Sequence, residues 1–180
     1  MGLGRIEQLK QDYDVRVDWK PFELKPGTPP KGIPRPFKPG ENNNLTGHMK
    51  DCADDVGLQN MRRQPFVPNS RIAMQAALYA KDQNMFEEFH RATFKAFWEE
   101  SQNIGDTAVL QEIFKQCELD WQAFNSPEIY NMYSQQLEFY LREPQIYGIS
   151  AVPAFILDRY LIMGAQPYSV FQEIMEHLQK

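Results

Sequence analysis

Near the end of the chain an unbroken apolar run, Val152-Pro153-Ala154-Phe155-Ile156-Leu157, leads through Asp158-Arg159 into a second run, Tyr160-Leu161-Ile162-Met163. Continuous apolar character without alternation predicts a strand buried on both faces. Asp158-Arg159 predicts a tight reversal, which makes the second run an antiparallel partner. Gly164-Ala165-Gln166-Pro167 then opens a last helix, with Phe171, Ile174, Met175 and Leu178 facing inward.

The other end of the chain pairs a helix with a strand. Leu3, Ile6, Leu9 and Tyr13 recur at helical spacing and predict an amphipathic helix over residues 2–12. Val15-Arg16-Val17-Asp18-Trp19 alternates with period two, the signature of a half-buried strand, and Pro21 limits it because proline cannot donate to a ladder. Helix then strand is the second half of a strand–helix–strand unit, and the first strand of that unit does not lie within this sequence.

Between the two ends, residues 25–44 carry six prolines and three glycines and predict a surface loop. A helical block follows. A short helix is expected over Thr46–Val56, and one capped at Asn69 or Ser70 carries Ile72, Ala73, Ala76, Ala77 and Ala80 inward. Phe86, Phe89, His90, Thr93, Phe94 and Phe97 share one broad face. Asp106 caps a helix with Val109, Leu110, Ile113, Phe114 and Cys117 inward. Ser126-Pro127-Glu128 starts the next, which Pro144 should interrupt and Gly148 should end.

A net charge of −5 gives no electrostatic reason to bind nucleic acid or an anionic membrane. No run approaches the roughly 20 apolar residues needed to span a bilayer. The start, MGLGRIEQLKQ, has no apolar leader region, so a cytoplasmic location is expected. The two cysteines, Cys52 and Cys117, are too few and too separated for a disulfide scaffold and read as reduced thiols. His48 and Cys52 stand one helical turn apart beside Asp51 and Asp55. Zinc would need further soft or imidazole ligands, so a solvated helix face is expected there, with no metal. His90 is expected to be a satisfied helix residue.

The stretch Gly148-Ile149-Ser150-Ala151-Val152-Pro153-Ala154-Phe155-Ile156-Leu157, with Gly164-Ala165-Gln166-Pro167, closely resembles the C-terminal signature of the DsbA family, in particular its cytosolic FrnE-like branch. VRVDWKPFELKPGTPPKG is similar to that branch's second strand and loop, and Gly2-Leu3-Gly4-Arg5-Ile6-Glu7 looks like the helix after its CPWC-type motif. The resemblance implies an α/β, thioredoxin-like fold with a helical insertion and with the first β-strand absent from this chain. One domain spans 1–180: a partial thioredoxin motif at 1–24, the insertion at 45–148 and a strand–strand–helix motif at 149–180.

It also implies thiol–disulfide oxidoreductase activity. In the family a Cys-x-x-Cys at the N-terminus of the first helix supplies a thiolate stabilised by the helix dipole. A cis-proline loop faces it and pairs with extended substrate. By resemblance Pro153 is that proline, Val152 the pairing residue and Ala151 its neighbour, the substrate being a peptide or a low-molecular-weight thiol or disulfide without a cofactor. No Cys-x-x-Cys stands in these 180 residues, and Met1-Gly2-Leu3 lacks the serine that related glutathione-dependent isomerases and kappa-class transferases place nearby. No catalytic residue is therefore assigned. The expectation is a truncated form of an oxidoreductase; the alternatives are a non-catalytic peptide- or thiol-binding protein and a relative of the glutathione-dependent enzymes. The missing strand would leave two unpaired edges, an opening for a homodimer by strand exchange.

Overall fold

α1 (Gly2–Asp12) forms as its spacing predicts and buries Ile6 and Leu9, with Arg5 buried beside them. This computed structural model describes residues 1–179; Lys180, the last residue of the expected 1–180 domain and its 149–180 segment, lies outside them. After α1 the chain turns extended. Val15, Val17 and Trp19 pack inward against the cluster of Ile6, Leu9, Phe155, Ile162 and Phe171, while Arg16 and Asp18 are exposed. The alternation is therefore real, but the expected strand is not. Among the described residues, Val15–Trp19 joins no sheet and makes no backbone hydrogen bond. A ladder needs a neighbour at about 4.8 Å, and none runs beside this segment.

The proline-rich loop is held at several places. Ile33–Pro34 (β1) pairs antiparallel with Phe66–Val67 (β2), Ile33 opposite Val67, a contact the proline content did not suggest. So short a pair tolerates Pro34, and the next amide, Arg35 N–H, donates to the Pro65 carbonyl at 2.6 Å. Further along, the Asn69 side-chain amide donates to the Thr28 carbonyl at 2.7 Å, and Arg71 pairs with Glu23 at 2.7 Å.

The helical block comprises α2 (Gly47–Asp54), α3 (Arg71–Asp82), α4 (Phe86–Trp98), α5 (Thr107–Gln116), α6 (Trp121–Phe124), α7 (Pro127–Tyr140) and α8 (Glu143–Ile146). Asp106 caps α5 by accepting the Ala108 N–H at 2.9 Å, as its sequence position predicts. The small residues Ala73, Ala76 and Ala80 are buried on α3 in the same cluster as Phe89, Leu110, Phe114, Phe124 and Leu137 from the neighbouring helices. That cluster is the main core, and Phe114 sits at its centre with rings on several sides. Tyr133, buried on α7, donates to Asp82 at 2.8 Å. α7 ends at Tyr140, four residues before Pro144, which sits in the first turn of α8, and Gly148 ends the block at φ +68°, a left-handed conformation that glycine adopts without a Cβ clash.

Ala154–Leu157 (β3) and Tyr160–Met163 (β4) form the expected hairpin, with Phe155 opposite Ile162 and Ile156 opposite Leu161. Burial on both faces does not follow. Phe155 and Ile162 are buried, but Ile156, Leu161 and Met163 are 45%, 40% and 42% exposed. The physical reason is that the hairpin is a separate two-stranded sheet whose inward side chains share a small core with α1 and with α9 (Tyr168–Leu178). The apolar run thus continues past what the core can cover. Phe155 meets Phe171 of α9 edge-on at 4.9 Å, closing the second, smaller core.

Candidate functional site

Four pieces of chain meet at the N-terminal end of α1. A Cβ at Gly2 would stand 3.1 Å from the Pro153 Cβ, and a Cβ at Gly4 would stand 2.7 Å from the Val56 Cβ. The two glycines thus let the Pro153 loop and the chain after α2 approach the first turn of the helix, the second more closely than any side chain permits. The fourth piece is the Gly164–Pro167 turn, whose Gly164 N–H donates to the Pro153 carbonyl at 2.8 Å.

Arg5 ties these pieces together. Its Nε donates to the Gln166 carbonyl at 2.8 Å and one terminal nitrogen to Gln8 Oε1 at 2.8 Å, while the other pairs with Asp55 just beyond α2. The side chain is 4% exposed, against 58% for Asp55. Arg5 was not singled out in the sequence, although one signal existed: a charge four residues before Leu9 lies on the helix's own apolar stripe. Replacing Arg5 with alanine is expected to cost about 1–2 kcal/mol, because the partner left behind is mostly solvated and two further hydrogen bonds are lost. Arg5→Met, which keeps the packed stem, should recover part of that loss in urea unfolding; equal losses would mean that only the polar contacts matter.

The three expected site residues lie together on the connection between α8 and β3. Ala151 is exposed, Val152 is 46% exposed and Pro153 is half-buried, with the Val152–Pro153 peptide bond cis. Among the described residues, neither the N–H nor the C=O of Val152 makes a backbone hydrogen bond. Such a pair can accept an extended chain in the manner of an added strand.

The cysteines are not brought together. Both are free: Cys117 is buried at the end of α5, where burial pushes its thiol up, and Cys52 is half-buried on α2. Cys52 does not lie on a merely solvated face, however. Its Sγ is 3.5 Å from His48 Nε2 and 3.8 Å from the Ala165 carbonyl oxygen. Among the described residues no set of three or more His, Cys, Asp or Glu side chains converges to hold a metal ion.

A cavity of about 80 Å³ lies apart from the Val152–Pro153 loop, where α1 and Trp19 meet α4. His90 stands at its wall between Trp19 at 4.8 Å and Phe94 at 4.3 Å, ring centroid to centroid. Burial, helped by the neighbouring Arg91, pushes His90 down to about 4, so the imidazole is neutral near pH 7. Glu7 pairs with Arg91 and Lys10 with Glu87, each at 2.6 Å, across the rim. The expectation of a satisfied helix histidine is corrected to this extent: its neighbours are aromatic faces, and no hydrogen bond serves it among the described residues.

Comparison with known proteins bears on the family and the fold. The profile of the DSBA-like thioredoxin domain matches residues 1–176. Uncharacterized protein YwbO from Bacillus subtilis (strain 168) is 29% identical over 185 aligned positions, covering 100% of this chain and 90% of its own length. The crystal structure of a probable DsbA oxidoreductase from Streptomyces coelicolor superimposes with a TM-score of 0.76 at 20% identity, over 98% of this chain and 82% of its own. Among the described residues no helix is long and apolar enough to cross a membrane.

Proposed function

This chain belongs to the DSBA-like thioredoxin domain family, a family of thiol–disulfide oxidoreductases, and on that premise we propose that it docks an extended peptide or a low-molecular-weight disulfide on Val152 and Pro153. One observation carries the reading: among the described residues the exposed Val152 has no partner for its backbone N–H and C=O, beside a proline packed on the start of α1. Ala151 flanks the docked chain. Val152 contributes backbone pairing, so the loop accepts many sequences and selects for an extended shape.

The finer part of the proposal concerns the nucleophile. A Cys-x-x-Cys would reach this loop from residues ahead of Met1, on a strand lying between Val15–Trp19 and β3. Two features support it. Among the described residues, Val15–Trp19 is extended with its backbone groups unpaired, and β3 is paired on one edge only. Buried or half-buried backbone normally finds partners, so the open hydrogen-bonding groups of the two segments suit a strand laid between them. The proline-rich segment after Leu24 supports the FrnE-like branch, and two unpaired thiols suit a reducing, cytoplasmic setting.

Two measurements test this. Translated DNA upstream of the Met1 codon should show an in-frame strand and Cys-x-x-Cys; a stop codon with no cysteine pair ends the catalytic reading. In amide NMR of the 180-residue chain, an extended peptide should shift Ala151, Val152 and Gly2. Shifts confined to other regions would remove the docking site. A second reading, a binder without turnover, is favoured by the separation of Cys52 on α2 from Cys117 at the end of α5. The 180-residue chain is accordingly expected to show no insulin reduction above background.

A further inference from the structure

Apart from any substrate on the Val152 loop, we propose that Cys52 is a thiol-modification site, where the sulfur and His48 act as a nucleophile and general base toward a small disulfide. The two residues are one turn apart on α2, and Sγ lies within hydrogen-bond reach of the nearer ring nitrogen, Nε2, at 3.5 Å. On its other side Sγ is 3.8 Å from the Ala165 carbonyl oxygen, which belongs to the turn that Arg5 fixes through Gln166. The sulfur is thus located by two separate elements, the helix that bears it and a turn 113 residues away in the chain.

Helix α2 is itself held in place. Its C-terminal end is anchored by the Arg5–Asp55 ion pair, and Val56 packs on Gly4. Preorganisation of this kind keeps the Cys–His pair together without a substrate. Cys117 supplies the contrast within the same chain: it is 4% exposed, with no histidine against its sulfur among the described residues, and burial pushes its thiol up. Cys52 is half-buried, so a small disulfide can reach it.

The step is a thiol–disulfide exchange. His48 takes the proton from the Cys52 thiol as Sγ attacks one sulfur of the small disulfide. The S–S bond of that disulfide breaks, a new S–S bond to Cys52 forms, and the leaving thiolate recovers the proton from the imidazolium. One disulfide is consumed and one is made, and no further oxidant is required. A metal is not the better occupant, since its ligand set would need at least a third residue, and none converges here among the described residues.

The test uses the 180-residue protein and oxidised glutathione as the probe, followed by intact-mass spectrometry and peptide mapping. One adduct is expected, on Cys52, formed at least about tenfold faster than on a free-cysteine peptide. Cys117→Ser should leave it unchanged, and Cys52→Ser should abolish it. His48→Ala should lower the rate about tenfold, and added imidazole should restore it, a rescue that a purely structural histidine would not show. His48→Gln, checked by circular dichroism, serves as the slowed variant if His48→Ala unfolds. An adduct only on Cys117, no adduct, or an undiminished rate in the folded His48 variant would overturn the assignment.

Discussion

Replacing Phe114 with alanine is expected to remove about 4 kcal/mol of stability. The side chain is 0% exposed, and its ring lies 5.1 Å from Trp121, 5.2 Å from Phe124, 5.6 Å from Phe89 and 5.9 Å from Tyr79. Four rings, one each from α3 and α4 and two from the short α6, therefore border the space the phenyl leaves. They cannot all close on it, so a cavity cost adds to the lost transfer energy. Domains of this size have roughly 5–15 kcal/mol in total, which places Phe114→Ala near the edge of folding. Urea unfolding followed by circular dichroism should show a lowered midpoint with an unchanged slope. Phe139→Ala is the control: at 64% exposure it should move stability by no more than about 0.5 kcal/mol. Equal effects at both positions would show that the helical block is not organised around Phe114.

His90 is expected to give the second large effect, a loss of about 2–3 kcal/mol on acidification. In the folded chain burial holds its pKa down to about 4, whereas the unfolded value is 6.5. Between those values the unfolded state binds the proton and the folded state does not. Stability from this group is therefore complete above 6.5 and falls as pH drops toward 4, with no further loss below. Arg91 reinforces the lowering and Glu87 opposes it, so the rim ion pairs tune the size of the effect. His90→Phe keeps a ring among Trp19, Phe86 and Phe94 but has nothing to titrate. Comparing urea midpoints at about pH 7 and about pH 4.5, the variant should lose less than the parent. An identical acid loss in both proteins would assign the pH dependence to other groups.

Much of the fold was readable because local chemistry and tertiary packing agree. Asp106 caps where it should, and the phenylalanine face of α4 turns its buried member, Phe89, into the core. The two strand failures share one cause. Periodicity reports which way side chains point, and it carries no information about whether a neighbouring strand exists. Val15–Trp19 alternates without a ladder, and the apolar run at Ile156 reaches an uncovered face. The candidate site divides similarly. Val152, Pro153 and the His48–Cys52 spacing could be picked out locally, whereas Arg5 meets Gln166, and Cys52 meets Ala165, through contacts far apart in sequence. No spacing rule connects residue 52 with residue 165.

The unpaired edge of β3 has a further consequence. A row of amide and carbonyl groups does not distinguish whose chain completes it. An upstream segment of the same polypeptide and a strand lent by a second copy would form the same hydrogen bonds in the same place. They are mutually exclusive tenants, so completing the sheet from within would also suppress self-association. Protein concentration, which affects only the second route, then becomes the variable that separates a finished monomer from an exchanged pair.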